Sequence, residues 1–406
     1  MTAETMTNVY KRLGVPTIIN AKGPSTRLSG GIMRGEVAEA MVEASQHCVD
    51  MAVLQARASE LIAEATGAEA GLVTAGAAAG LLLGTAACVT GLDPGRMNRL
   101  PDTRGMRSEV VILRSQRNFY DHAVRAVGVQ LVEVGLLDRY AGAGVRDAEA
   151  WEIADAISER TAAVYWVAAA DARPSLEEAV EVAHAAGVPV LVDAAGQLPP
   201  VDNLRRFVRA GADLVAFSGG KAIGGPQASG MLCGRRDLIM AAALQCLDLD
   251  VFYEQWMPPV HFIDKARLRG LPQHGIGRPC KVGKEEIVGL LTALRLFVED
   301  QPGQRRAGWL GLMQELAAGL DGQVDAAVQL LDDREVPLVA LDLPAASSSS
   351  AFDVLRRLET GTPAIYADPS AAAEGRILFG PMSLKTGEPA LIAERVRGIL
   401  AGGRRR

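Results

Sequence analysis

Cysteine is scarce and scattered in this 406-residue sequence: Cys48, Cys88, Cys233, Cys246 and Cys280 are odd in number, and no two form a CxxC pair. That argues against a disulfide framework and against a zinc site, and leaves reduced structural thiols as the expectation. Positive charge is not in excess. With a formal net charge of -6 the chain has no electrostatic reason to seek nucleic acid or an anionic membrane surface. The opening MTAETMTNVYKRLG contains no apolar leader segment, so a cytoplasmic location is expected. No internal repeat is visible. Long uncharged apolar runs are missing with one exception, GLVTAGAAAGLLLGTAACVTG, which runs from Gly71 to Gly91 between Glu69 and Asp93. A bilayer core needs about 20 apolar residues, and GAAAG and GLLLG have the small-xxx-small spacing of packed membrane helices. Against that reading, Ala, Gly and Thr dominate, and no cluster of Lys or Arg flanks either end.

What is present is ordinary for a soluble globular chain, with 22% charged and 49% hydrophobic residues. The length calls for two domains, or one large α/β domain with an appendage. EVAEAMVEASQ from residue 36 and ARASELIAEATG, Ala56 to Gly67, read as amphipathic helices, the second closed by glycine. VVILR, QLVEVG, AAVYWVAAA (Ala162 to Ala170), VPVLVDAAG and DLVAFSGG then read as buried strands. Between them lie the helical patterns FYDHAVRAVG, AEAWEIADAISER, SLEEAVEVAHAAG and NLRRFVRAGA, with Ser175 and Glu178 at capping-box spacing. Alternation of this kind predicts a mostly parallel sheet covered on both faces, with ligands bound beyond the carboxyl ends of its strands. After about Gly283 the texture changes to a long helix, KEEIVGLLTALRLFVED, weak strands around VPLVALDLP and RILFG, and a last helix, PALIAERVRGIL. PAASSSSAF reads as a polar loop and GGRRR as a frayed tail. The expected division is an N-terminal segment 1–50, a large α/β domain 51–283 and a small α+β domain 284–406.

The strongest chemical signal is AFSGGKAIGGPQASG, Ala216 to Gly230, where a buried strand delivers Ser218 and Lys221 into a loop with five glycines between Gly219 and Gly230. A lysine in a partly desolvated, glycine-lined pocket suits Schiff-base chemistry. Upstream, VLVDAAGQ ends another buried strand on Asp193, where an unpaired carboxylate is costly and a cation is expected to meet it. Pyridoxal phosphate (PLP) needs these parts together: a lysine for its aldehyde, an acid facing its pyridine nitrogen, and an anion cradle for its phosphate. If GLVTA is a strand and the next residues open a helix, the N–H groups of Gly76, Ala77 and Ala78 form that cradle at the positive end of the helix dipole. The same residues then need no membrane. Plainer roles compete: Lys221 in a flexible loop, Asp193 as a turn carboxylate, Ser218 as a cap, His122 as a satisfied helix histidine.

INAKGPSTRLSGG, YDHAVRAVG, VDAAGQLPP, FSGGKAIGGPQASG and IGRPCKVGKEEIVGLL resemble the fold-type I (aspartate aminotransferase-like) PLP enzymes of the selenocysteine-synthase-like group, and most of all its D-glucosaminate-6-phosphate ammonia-lyase branch. The resemblance spans nearly the whole chain. It implies that Lys221 is the Schiff-base lysine, that Asp193 partners the pyridinium, and that Gly76 to Ala78 and Ser218 contact the phosphate. It implies a homo-oligomer with sites at the subunit interface, the loop Gly224 to Gln227, with Gly225, serving the neighbouring site. It implies an amino-acid substrate, for whose carboxylate an arginine fork is suited; Arg376 leads, followed by Arg278 and by Arg27, through which the N-terminal segment would contribute. The chain departs from the group at TAGAAAG in the phosphate loop and at SQRN before FYDHA, which leaves Gln116, Arg117 and His122 as alternatives for stacking on the ring. No counterpart of the selenium transferases' RNA-binding module is found, so a transfer-RNA substrate is not expected. The expected activity is α,β-elimination from a polar β-hydroxy or sugar-derived amino acid, giving a 2-oxo acid and ammonia. Retro-aldol cleavage, racemisation, transamination and non-catalytic binding of PLP or a phosphometabolite are the alternatives.

Overall fold

The computed structural model describes residues 8–136, 148–169, 172–300, 303–345, 347 and 349–402. The strand expected to reach Ala170, the polar loop 344–352 and the arginine tail lie partly outside that set. In chain order the strands are β1 Ile18–Asn20, β2 Ala70–Thr74, β3 Glu109–Leu113, β4 Gln130–Val134, β5 Thr161–Val167, β6 Val190–Asp193, β7 Leu214–Ser218, β8 Gly230–Gly234, β9 Ala327–Leu331, β10 Leu338–Asp342, β11 Ala364–Tyr366 and β12 Arg376–Phe379. The chain divides into two compact units, residues 33–298 and residues 1–32 with 299–406.

In the larger unit, seven strands lie in the order β2-β8-β7-β6-β5-β3-β4. All run parallel except β8, which is antiparallel to both neighbours. Strands β3, β5, β6 and β7 are almost wholly buried, as their apolar sequences require where helices cover both faces, whereas the edge strand β4 buries only Val134. Strand β8 went unread because GMLCG carries glycine at both ends, which weakens any strand signature. Ser175 and Glu178 form the expected capping box on helix Leu176–Ala185. FYDHAVRAVG contributes only the short helix Asp121–Arg125.

The uncharged stretch from Gly71 resolves into β2, the turn at Gly76 and helix Ala77–Thr90. Its small residues are packing requirements. A Cβ on Gly71 would sit 2.4 Å from Cγ2 of Ile62, and one on Gly84 would come within 3.1 Å of Leu191 Cδ1. The first lets helix Met51–Thr66 close on the sheet edge, and the second lets helix Ala77–Thr90 lie flat on it. That edge is also satisfied by side chains: Gln55 donates to Val73 O at 2.9 Å and accepts from Val73 N at 3.0 Å, and Ser59 Oγ accepts from Gly71 N at 3.0 Å. Among the described residues no helix is long and apolar enough to cross a membrane.

The boundary expected at 283 moves. Helix Lys284–Val298 belongs to the larger unit, because Ile287, Leu290, Leu294 and Phe297 are buried in the same apolar core as β6 and β7. The expected division at 50 is replaced too: residues 1–32 join the smaller unit, where β1 pairs in parallel with β11. That unit also holds an antiparallel sheet, β12-β10-β9, and a core including Met313, Leu341, Ile377 and Phe379.

Candidate active site

The parallel strands end on one edge of the large sheet, and the chemistry-bearing residues are there. Asp193 is the last residue of β6, and Val167, its register partner, is the last of β5. Ser218 ends β7 and pairs with Gly230 on β8. Thr74 ends β2, and its hydroxyl donates to Gly76 O at 2.8 Å, pinning the turn into helix Ala77–Thr90. Gly76 adopts a φ of 111°, a left-handed region that favours glycine. The first helical donor is the N–H of Gly80, bonded to Gly76 O at 3.1 Å, so the N–H groups of the preceding residues face out of the helix end with no side-chain cap. Gly230 makes room for this turn: a Cβ there would lie 2.5 Å from Gly76 C and 2.6 Å from Ala77 N.

Asp193 is only 8% exposed. Burial raises its carboxyl above the usual carboxylate range, opposed by the Ala195 N–H, the Tyr165 hydroxyl and the nearby charge of Lys221. Ala195 N donates to Oδ1 at 3.0 Å and Tyr165 OH to Oδ2 at 3.3 Å. Lys221 follows Ser218 through two glycines, and its carbonyl accepts from Gly224 N at 2.9 Å. The sequence predicted a partly desolvated lysine; in the single chain Lys221 is exposed, because it emerges from the turn beyond the strand end. Gly225 is buried, its N–H bonded to Gly219 O at 2.9 Å.

The three ring-face alternatives separate. Gln116 Oε1 accepts from Val167 N at 2.7 Å, which ties Gln116 to the end of β5 beside Asp193, and its Nε2 is buried without a partner. Arg117 is committed to Asp121 and Glu133. His122 is exposed on its short helix, its Nδ1 3.2 Å from an Arg125 nitrogen. The arginines separate as well. Arg376 lies across from Asp342 on β10, with Nε to Oδ1 2.6 Å and a terminal nitrogen to Oδ2 3.0 Å, so its fork is filled. Arg278 is paired with Asp248 at 2.5 Å. Arg27 rests 5.0 Å from the Tyr366 ring centroid and, among the described residues, forms no ion pair.

Sequence reading missed Tyr165, whose side chain donates to Asp193. The signal available was a tyrosine inside an otherwise apolar strand, since a buried phenol seeks a partner for its hydroxyl. No group of His, Cys, Asp and Glu among the described residues could hold a metal.

PLP fits these residues on two structural counts. Asp193 is a buried carboxylate held by neutral donors at the end of a strand, and among the described residues no cation bonds it, which suits a cationic ring nitrogen as its remaining partner. The glycine-floored turn at Gly76 presents uncapped helix N–H groups to a phosphate. The fold and these residues define a PLP-dependent enzyme of fold type I. Residues 26–248 match the L-seryl-tRNA selenium transferase (SelA) family, and the chain belongs to that family. It is 34% identical to the 5'-C-glycyluridine monooxygenase-decarboxylase of a Streptomyces species, over 96% of this chain and 92% of that one. It is 32% identical to the D-glucosaminate-6-phosphate ammonia lyase of Salmonella typhimurium, over 97% and 98%. A solved structure of D-glucosaminate-6-phosphate ammonia-lyase matches at a TM-score of 0.81 and 30% identity, covering 98% of this chain and all of that one.

Proposed function

We propose that this protein is a PLP-dependent ammonia-lyase acting on a polar β-hydroxy or sugar-derived amino acid, releasing a 2-oxo acid and ammonia. The observation that carries the reading is full-length similarity to an ammonia lyase in both sequence and structure, combined with Asp193 and Lys221 on one sheet edge. PLP would be held by Lys221, Asp193, the Gly76–Ala78 turn and Ser218, and supplies an electron sink for the bond broken at Cα. Lys221 takes the Cα proton as general base. The hydroxyl leaves from Cβ as water, and hydrolysis of the released enamine consumes one water and yields the 2-oxo acid and ammonia. Gln116, anchored to β5, is the residue for the ring face. His122, exposed on its short helix, is the alternative for that role. Arg27 is favoured for the substrate carboxylate, and through it the N-terminal segment contributes to the site; Arg376 and Arg278 would first have to release Asp342 and Asp248.

The protein is further proposed to be a cytoplasmic homo-oligomer with sites at the subunit interface, the Gly224–Gln227 loop with Gly225 serving the neighbouring site. A second reading, decarboxylation with oxygen, is favoured by the 34% identity to a monooxygenase-decarboxylase. The deciding experiment assays purified protein with PLP against a panel of β-hydroxy and sugar-derived amino acids. Release of 2-oxo acid and ammonia without oxygen uptake supports the lyase; oxygen uptake with carbon dioxide release supports the second reading and overturns the first.

A further inference from the structure

Tyr165 sits within β5, is completely buried, and points its hydroxyl at the carboxylate that faces the proposed ring nitrogen. We propose that Tyr165 is a positioning residue: its hydroxyl, donating to Oδ2 of Asp193, keeps that carboxylate ionised and aimed, so that the proton shared with the pyridine nitrogen of PLP stays on nitrogen. The inference rests on the PLP reading given above.

Three observations support it. First, each oxygen of Asp193 has one donor, Ala195 N–H on Oδ1 and Tyr165 OH on Oδ2. The first comes from the backbone and is present whatever the side chains are; the second exists only because position 165 is tyrosine. Second, burial drives the phenol far above the ordinary tyrosine range, with the charges of Asp193 and Asp121 adding to it, so this hydroxyl remains a donor throughout the working pH range. Third, strand β5 ties the acid to the ring-face loop. Gln116 of that loop accepts from Val167 N at 2.7 Å, two residues along the strand from Tyr165, and its carbonyl accepts from Asn118 Nδ2 at 3.2 Å.

The charged groups around the pair are Lys221, whose charge reaches Asp193, and Asp121, which is neutralised by Arg117, itself also bound to Glu133. Neither carboxylate neighbour can donate to Asp193 in its ionised form. Removing the hydroxyl therefore leaves Oδ2 desolvated without a donor, and the shared proton moves towards the acid.

The test uses full-length protein reconstituted with PLP labelled with 15N in the ring. In the wild type the ring nitrogen should give a protonated 15N signal. In Tyr165→Phe it should shift towards the unprotonated position, with PLP affinity lower by about tenfold, the size of one lost hydrogen bond to a charged group. 3,5-Difluorotyrosine at position 165 keeps the ring in place and strengthens the donor, so its signal should move the other way and hold the inference testable if the phenylalanine variant folds poorly. Unchanged signals in both variants, with only a lower unfolding temperature, would make Tyr165 a packing residue and overturn the inference while leaving the cofactor reading intact. Absence of any borohydride-sensitive visible band in wild type with added PLP would overturn the cofactor reading and this inference together.

Discussion

Two buried aspartates stand at opposite ends of the same sheet, and their surroundings differ in one respect. Asp213, just before β7, has Arg235 3.1 Å from Oδ1, and His184 Nε2 at 2.7 Å and Val190 N at 2.8 Å on Oδ2. Asp193, at the end of β6, has among the described residues only a backbone N–H and a phenol within hydrogen-bond distance. One carboxylate is closed off by Arg235 and His184 of its own chain; the other is held in place but left short of a cation. The first arrangement is structural, because side chains of the fold already occupy both oxygens. The second is what a site requires when a cationic ring is to arrive.

The largest effect should come from the residue proposed to bond the cofactor. Lys221→Ala should bind no PLP in a form that borohydride can fix, and activity should fall by roughly a thousandfold, within the range for losing a general base. A borohydride-fixed adduct at another lysine in that variant would move the chemistry away from the Gly219–Gly230 loop.

The two aspartates should then part company. Asp193→Asn should lose roughly a hundredfold or more in activity, while the apo protein is as stable as wild type or more so at neutral pH. The sign follows from its proton affinity. The folded-state carboxyl lies above its ordinary value because of burial, so its contribution to apo stability is present below the unfolded value and is lost as pH rises through the folded one. Urea unfolding of apo protein at pH 4 and pH 7 should show that slope in wild type and less of it in Asp193→Asn. Asp213→Asn should do the reverse: about 2 kcal/mol of stability lost, because Arg235 is half exposed and pays only part of a buried pair's cost, with the visible band retained. If Asp213→Asn abolished the band instead, the contrast between the two sheet ends would collapse.

A smaller and more local effect is expected where two backbones meet. Gly230→Ala places a Cβ against Gly76 C and Ala77 N, neither of which can step aside as a side chain can. PLP affinity should fall about tenfold, with Ser218 and Lys221 untouched, because the helix N–H groups that would hold its phosphate are displaced. Restored binding on enlarging the cofactor's phosphate arm is not expected, and a variant that binds PLP normally would place the phosphate elsewhere.

These contrasts were unequally readable beforehand. Strands β3, β5, β6 and β7 announce themselves by apolar runs, Asp193 ends one of them and Lys221 follows the end of another, so the sheet and the edge that carries both follow from pattern alone. The uncharged stretch from Gly71 was ambiguous by composition. It is decided by packing: Gly71 and Gly84 are small because Ile62 and Leu191 press on them. Strand β8 carries no pattern, since its terminal glycines serve their neighbours. The unit boundary was misplaced because an amphipathic helix such as Lys284–Val298 declares that it has a buried face without declaring which core buries it. The arginines were the least readable of all, because a guanidinium's partner is a long-range property.

That last point gives the smallest predicted effect and a direct comparison within the smaller unit. Arg376 and Arg27 are the same residue type in opposite states, one with both fork positions filled by Asp342 and one resting on the Tyr366 ring with no carboxylate partner among the described residues. Arg376→Ala should leave the unfolding midpoint nearly unchanged, as expected for a solvent-screened pair, and leave KM unchanged within about twofold. Arg27→Ala should raise KM about tenfold at nearly constant kcat, because a carboxylate contact made equally in ground and transition states is uniform binding. Arg27→Lys should recover only part of it, a point charge replacing a planar fork. The opposite ranking, with KM moved by Arg376→Ala and not by Arg27→Ala, would mean that Asp342 surrenders its partner to the substrate. The filled fork would then be a gate holding the arginine in place until a carboxylate arrives.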